Sequence, residues 1–401
     1  MKYDFTTILD RKGKDAIAVD LLESPGMIPA GKTDPAFTRI PMWVADMNFG
    51  TAPAVTEAIA GRLAHPTFGY FTLRPEYFDS IIRWQKERNG VEGLTAECIG
   101  YENGVLGGVV SAARFLCEPG GSILVHRPTY VGFTGSLTGA GFHLVHSDLV
   151  KDADGVYRMD LDDMERKIVE NKIHLAIFCS PHNPTGRVWE REELEAAAEL
   201  FKKHDVYVIC DEIWSDLILT GKHIPFQSVS EDARQRTLAF YAPSKTFNLA
   251  GLVGSYHIVY NSYLRDRLLK QSSLSHYNAV NVLSMYALIG AYSMEGQEWL
   301  EELLDVLRKN VEYACRFIHE NFEGVKVTQP EGTYMLFLDC EEWCRKNEKT
   351  IEELQAEGIR CGVIWQDGRP FGGEYTIRLN LALPYSLEAE ALKRLKEHVF
   401  C

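Results

Sequence analysis

A chain of 401 residues, 46% hydrophobic and 24% charged, is long enough to bury a sizeable core and has the composition of a globular protein. Its formal net charge of −14 argues against nucleic acid or an anionic membrane surface as a partner. Nine cysteines, an odd number without regular spacing, argue against a disulfide framework and fit reduced thiols in the cytoplasm.

Cys340 and Cys344 form a C-x3-C pair, but no second pair or nearby histidine completes a zinc site, so no metal is expected. Cys179 and Cys210 lie inside apolar runs and read as small hydrophobes. The N-terminus has neither a basic nor an apolar signal region, and no apolar run reaches the length of a membrane span. The expectation is a soluble protein.

Residues 1–40 are rich in Gly, Pro and charge, notably Ser24-Pro-Gly-Met-Ile-Pro-Ala-Gly31, and read as an extended arm. Two turn-flanked segments follow, Ile40-Pro-Met-Trp-Val-Ala-Asp-Met47 and His65-Pro-Thr-Phe-Gly-Tyr-Phe71, with a helical stretch over 54–63 between them. From about residue 100 a regular alternation begins. Gly104 opens a helix of small residues over 109–116, which Gly120-Gly121 ends. Apolar runs then recur at 123–125, 142–145, 174–179, 206–210, 238–241 and 256–260. The clearest intervening helix, 191–204, puts Leu194, Ala197, Ala198 and Phe201 on one face. Apolar runs without polar alternation, spaced by amphipathic helices, predict a mostly parallel sheet covered on both faces.

After about residue 290 the pattern changes. Residues 299–322 place Leu300, Leu303, Leu307, Val311, Ala314 and Ile318 on one face of a long helix. Strands are expected at 324–327, 335–338 and 376–379, and a closing helix after Pro384 with Ser386 as its N-cap. The fold class expected is α/β. An arm and part of a small domain span 1–47, a large α/β domain 48–290, and a small α+β domain 291–401.

Ligands of open parallel sheets bind outside the carboxyl ends of the strands. Four of the runs end in residues suited to chemistry: His126-Arg-Pro-Thr-Tyr130, Ser180-Pro-His-Asn-Pro-Thr-Gly186, Asp211-Glu-Ile-Trp-Ser-Asp216 and Ala242-Pro-Ser-Lys245. Lys245 ends a segment that reads as buried, where a cation needs a reason. A desolvated lysine becomes a nucleophile toward an aldehyde cofactor such as pyridoxal phosphate. A buried carboxylate at Asp211 is costly alone and stabilised opposite a protonated pyridine nitrogen. Asn183, in a rigid Pro-His-Asn-Pro turn, suits a ring hydroxyl, and Tyr130 can lay its ring on a cofactor face. Gly104-Val-Leu-Gly-Gly108 leads into a helix whose free N–H groups suit a phosphate, although it is neither a Walker motif nor a dinucleotide fingerprint. Arg378, inside Ile377-Arg-Leu-Asn380, needs a partner, either a structural carboxylate or that of an amino-acid substrate. Singly, these residues have plainer readings as a surface lysine, a helix cap, a turn amide and core aromatics. Four chemically apt strand ends together weaken those readings.

Ser180-Pro-His-Asn-Pro-Thr-Gly-Arg187, Asp211-Glu-Ile213 and Ser244-Lys-Thr-Phe-Asn248 resemble fold-type-I pyridoxal-phosphate enzymes. With Pro41-Met-Trp-Val-Ala-Asp-Met47, Phe68-Gly-Tyr70 and Gly332-Thr-Tyr334, the chain is most similar to one branch of the class I/II aminotransferase family. That branch is the cystathionine β-lyase/C–S lyase group (MalY/PatB type), and the resemblance runs from about residue 38 to the end. It implies that Lys245 bonds the cofactor and then shuttles the proton. Asp211 would pair with the pyridine nitrogen, Asn183 would bond the ring hydroxyl, and Tyr130 would stack on the ring. Val105, Leu106 and Ser244 would hold the phosphate. Arg378 would clamp the substrate carboxylate, helped by Asn183 and the backbone at Ala45. Tyr70 would reach the phosphate of a neighbouring subunit, which implies a homodimer.

Three positions depart from the wider family pattern. Trp214 stands where many aminotransferases keep a tyrosine beside the ring hydroxyl, and an indole donates a hydrogen bond but accepts none. Val253 stands where many keep a phosphate-binding arginine, and Asn48 where an aspartate is usual. The expected function is β-elimination from cystathionine or a related cysteine S-conjugate. An aminotransferase is the alternative within the same chemistry, and a cofactor-binding regulatory protein with little turnover the alternative outside it. A nicotinamide-dependent enzyme lacks its glycine fingerprint here.

Overall fold

The computed structural model describes residues 1–23, 32–274 and 280–401, so the loop expected at 24–31 lies outside the described residues. The chain divides into two compact units. One comprises Met1–Gly50, Pro184–Gly186 and Glu302–Cys401, the other Thr51–Asn183 and Arg187–Glu301. No helix among the described residues is long and apolar enough to cross a membrane.

The larger unit is built on a seven-stranded sheet. Its spatial order is Ile99–Glu102, Ser255–Ile258, Thr237–Tyr241, Tyr207–Asp211, Leu175–Cys179, Ser122–Arg127 and His143–Asp148. The last five run parallel, and Ser255–Ile258 is antiparallel to both of its neighbours. Leu175–Cys179 and Thr237–Tyr241 are buried along their whole length, which is why they read as unbroken apolar runs. Side chains alternate across the sheet. Ile123, Ile177, Ile209 and Phe240 pack with residues of the helices Val105–Leu116 and Val131–Gly139. On the other face Phe178 meets Trp189 and Phe226.

The helix Val105–Leu116 lies close to the sheet because Gly108 has no side chain. A Cβ there would fall 2.4 Å from the Phe240 ring. This helix begins earlier than 109 and stops at Leu116; Gly120, with φ of 77°, forms the turn beyond it. The strand Ile99–Glu102 was not anticipated. Gly100 and Glu102 interrupt its apolar pattern, and Glu102 is buried through a 2.7 Å contact with His257 Nδ1.

The smaller unit holds a five-stranded sheet, in order Ile40–Met42, Val363–Asp367, Thr376–Asn380, Met335–Asp339 and Lys326–Val327. The helix Met294–Asn321 buries all six positions that the spacing predicts, from Leu300 to Ile318. The closing helix is Tyr385–His398, and its N-cap is Pro384 rather than Ser386. The Leu387 N–H already reaches the Pro384 carbonyl at 2.9 Å, so Ser386 falls inside the first turn.

Candidate active site

Asp211 ends the strand Tyr207–Asp211 and is 3% exposed. Its carboxylate accepts the Ile213 N–H at 3.1 Å. Burial pushes its pKa up to about 7, with the Ile213 hydrogen bond and the charge of Lys245 pulling the other way. Lys245 stands four residues past Tyr241, in a turn closed by Phe247 N–H to Pro243 O at 2.8 Å and Leu249 N–H to Ser244 O at 3.0 Å. Its ammonium lies 5.7 Å from the centre of the buried Trp214 ring, within cation–π range. Asp216 ties these two loops together, accepting from Thr246 Oγ1 and from Trp84 Nε1, each at 2.9 Å.

Two helix starts face the same space. Val105–Leu116 begins after Gly104, whose φ is 84°, with no side-chain cap and no acidic residue in its first turn. The first-turn N–H groups of such a helix have no intrahelical acceptor and favour an anion. Tyr130 is the N-cap residue of Val131–Gly139. Its ring folds back over Gly132, where a Cβ would fall 2.4 Å from it, and meets Phe133 edge-on at 5.4 Å.

These groups line one cavity of about 260 Å³, within the larger unit. Lys245, Asp211, Asn183, Tyr130, Trp214, Ser244, Val105 and Leu106 all contribute to it. So does Val253, held in the left-handed region at φ 51°. Sequence reasoning missed Cys179, Ile213, Gly254 and Ser255 as lining residues. Cys179 sits at a strand end and was legible in principle. Ser255 arrives only through the antiparallel strand, with its hydroxyl donated to Glu102 O at 2.7 Å, and no local pattern announces it.

Three predicted residues lie outside this lining. Tyr70 belongs to the larger unit and is fully exposed. Arg378 and Ala45 belong to the smaller unit, where Arg378 is 4% exposed in the strand Thr376–Asn380. Its Nη2 donates to the Trp43 carbonyl at 3.1 Å, and its guanidinium lies 4.7 Å from the centre of the Phe371 ring. The Ala45 carbonyl accepts from Tyr334 Oη at 3.1 Å, and Asn380 Nδ2 donates to Val44 O at 2.7 Å. The backbone of residues 43–46 is thereby fixed beside Arg378. Asn48 is also engaged, accepting from Arg11 Nη1 at 3.0 Å, while the same guanidinium pairs with Asp46 at 2.5 Å.

Residues 41–395 match the family model for aminotransferase class I and II. Cystathionine beta-lyase PatB of Bacillus subtilis (strain 168) is 36% identical over 361 residues, covering 89% of this chain and 92% of that protein. The solved PLP-bound putative aminotransferase of Clostridium difficile 630 superposes with a TM-score of 0.90 at 33% identity, covering 98% of this chain and 99% of the other. The PLP-bound C-S lyase of Staphylococcus hominis does so with a TM-score of 0.89 at 30% identity, over 100% and 98% of the two chains. The chain, a fold-type-I α/β protein, belongs to the class I and II aminotransferase family.

Proposed function

We propose that this protein is a pyridoxal-phosphate-dependent carbon–sulfur β-lyase. Its substrate is cystathionine or a related L-cysteine S-conjugate, and its products are pyruvate, ammonia and a thiol. It acts in the cytoplasm as a homodimer. The observation that carries the reading is the joining of Lys245 and a buried Asp211 in one cavity. The lyase assignment draws support from the similarity to the Bacillus β-lyase and the Staphylococcus C-S lyase. Nine free thiols suit a reducing compartment.

The residues present fit the cofactor. Burial, the largest cause, pushes the Asp211 carboxyl up to about 7, so a cationic ring nitrogen would stabilise its ionised form. The uncapped helix start at Gly104–Leu106, with Ser244, suits a phosphate. Among the described residues Lys245 is the only amine lining the cavity, and Tyr130 and Trp214 supply aromatic walls.

Bound there, pyridoxal phosphate supplies a protonated pyridine ring that takes up the electron pair left at the substrate's Cα. As a carboxylate, Asp211 holds the proton on the ring nitrogen. Asn183 donates its amide to the ring hydroxyl. Lys245 would hold the cofactor's aldehyde and, when freed, would take the substrate's α-proton as general base. Its position 5.7 Å from the centre of the Trp214 ring suits the ammonium so formed. The resemblance assigns Arg378, beside the rigid 43–46 backbone, to the substrate carboxylate, which its planar fork would grip. The Cβ–S bond then breaks, the thiolate leaves, and hydrolysis yields pyruvate and ammonia.

The test is to supply cystathionine without any keto acid and assay pyruvate. Steady pyruvate release that is lost in Lys245→Ala supports the lyase. Turnover of an amino acid with 2-oxoglutarate, and no pyruvate from cystathionine, makes the protein an aminotransferase instead.

A further inference from the structure

Asp211 and Glu212 are consecutive at a strand end, so their side chains leave on opposite faces of the sheet. Asp211 lines the cavity of Lys245. Glu212 is wholly buried on the other side and surrounded by donors. Tyr241 Oη donates to it at 2.7 Å, His223 Nε2 lies at 2.8 Å, the Phe226 N–H at 3.0 Å and the Cys210 thiol at 3.3 Å.

His223 and Tyr241 also line a second cavity, of about 540 Å³, in the same unit. Arg191, Lys222 and Arg234 line it too. Its one carboxylate, Glu92, is 3.2 Å from Lys86. Three cations to one acid reverses the balance of a chain whose net charge is −14. The arginines are loosely paired, Arg191 with Glu195 at 3.4 Å and Arg234 with Glu231 at 3.7 Å, and Arg234 also lies over the Tyr260 ring. His223 is 3% exposed, and its second nitrogen, Nδ1, has no hydrogen-bond partner. A buried ring nitrogen left unsatisfied is costly unless something completes it.

We propose that this second cavity is a binding site for a small anion of phosphate or carboxylate chemistry, seated on His223 Nδ1 and drawn in by Lys222, Arg191 and Arg234. With Nε2–H directed to Glu212, Nδ1 meets the anion through a single proton between them. The seat lies one residue behind the acid of the first cavity.

The probe is inorganic phosphate, titrated calorimetrically into the holoenzyme at constant ionic strength. The holoenzyme is used because its own cofactor already occupies the helix start at Gly104–Leu106. One saturable site is expected. His223→Gln weakens phosphate. Lys222→Glu, at an exposed rim position, weakens phosphate about tenfold and leaves the melting temperature unchanged. The proposal is overturned if phosphate gives no saturable heat, or if chloride gives the same signal. It is overturned equally if Lys222→Glu and His223→Gln both bind as the parent does, since the anion then sits elsewhere.

Discussion

Asp211 is under two opposed demands. The cationic ring proposed beside it would need it ionised, while burial favours its neutral form and raises it from an ordinary 3.8 to about 7. Without the cofactor, the folded chain binds this proton more tightly than the unfolded chain does between those two values. Ionising Asp211 therefore removes stability as pH rises through that window, by up to about 4 kcal/mol. Asp211→Asn keeps an acceptor for the Ile213 N–H and removes the charge. Stripped of cofactor, that variant should melt above the parent at pH 8, and the gap should close as pH falls below about 4. A gap that widens toward acid would mean that burial is not what holds the carboxyl up. The same variant should retain pyridoxal phosphate less tightly than the parent. Lys245 and Asp211 were legible in the sequence because each terminates an apolar run. The setting of Glu212 was not, because its donors come from residues 210, 223, 226 and 241, which the path of the following loop and the parallel register with Thr237–Tyr241 bring together.

Among the elements, the helix Val105–Leu116 and the turn at Val253 decide how the end of the cavity proposed for the phosphate is formed. Gly108→Ala places a methyl 2.4 Å from the Phe240 ring and 3.1 Å from the Glu102 carboxyl carbon. Overpacking of this kind costs about 1–3 kcal/mol, more than the roughly 1 kcal/mol of helix propensity that alanine gains over glycine. Urea unfolding should show a net loss, with cofactor affinity falling as the helix start moves from the sheet. Val253 presents the reverse case, since a β-branched residue at φ 51° is strained. Val253→Gly should raise the urea midpoint by the equivalent of about 1 kcal/mol. The sequence showed an arginine missing at this position, but a left-handed valine has no one-dimensional signature. Helices and buried parallel strands were legible because their periods differ. Ile99–Glu102 and Val363–Asp367 were not. The first is broken by Gly100 and Glu102, and the second ends in Gln366 and Asp367, whose neighbours come from Thr376–Asn380.

At the scale of the molecule, several large apolar side chains of the bigger unit are left facing outward. Leu63, Phe68, Tyr263 and Leu269 are each at least 46% exposed, and Tyr70 is fully so. In the proposed homodimer, a second chain would cover part of this apolar surface. That chain would be a second copy, with Tyr70 at its neighbour's phosphate, as the resemblance implies. The arrangement can be tested by mixing two disabled variants. Lys245→Ala lacks the covalent anchor but keeps Tyr70, and Tyr70→Ala lacks the aromatic but keeps Lys245. In a two-fold dimer with shared sites, a mixed pair holds one site in which both residues are intact. Unfolding and refolding an equimolar mixture should then restore about a quarter of the parental sites, where either variant alone restores none. The measurement is pyruvate release from cystathionine before and after the exchange, with cofactor absorbance as a second readout. If activity after mixing is only the mean of the two variants, Tyr70 serves its own chain or none.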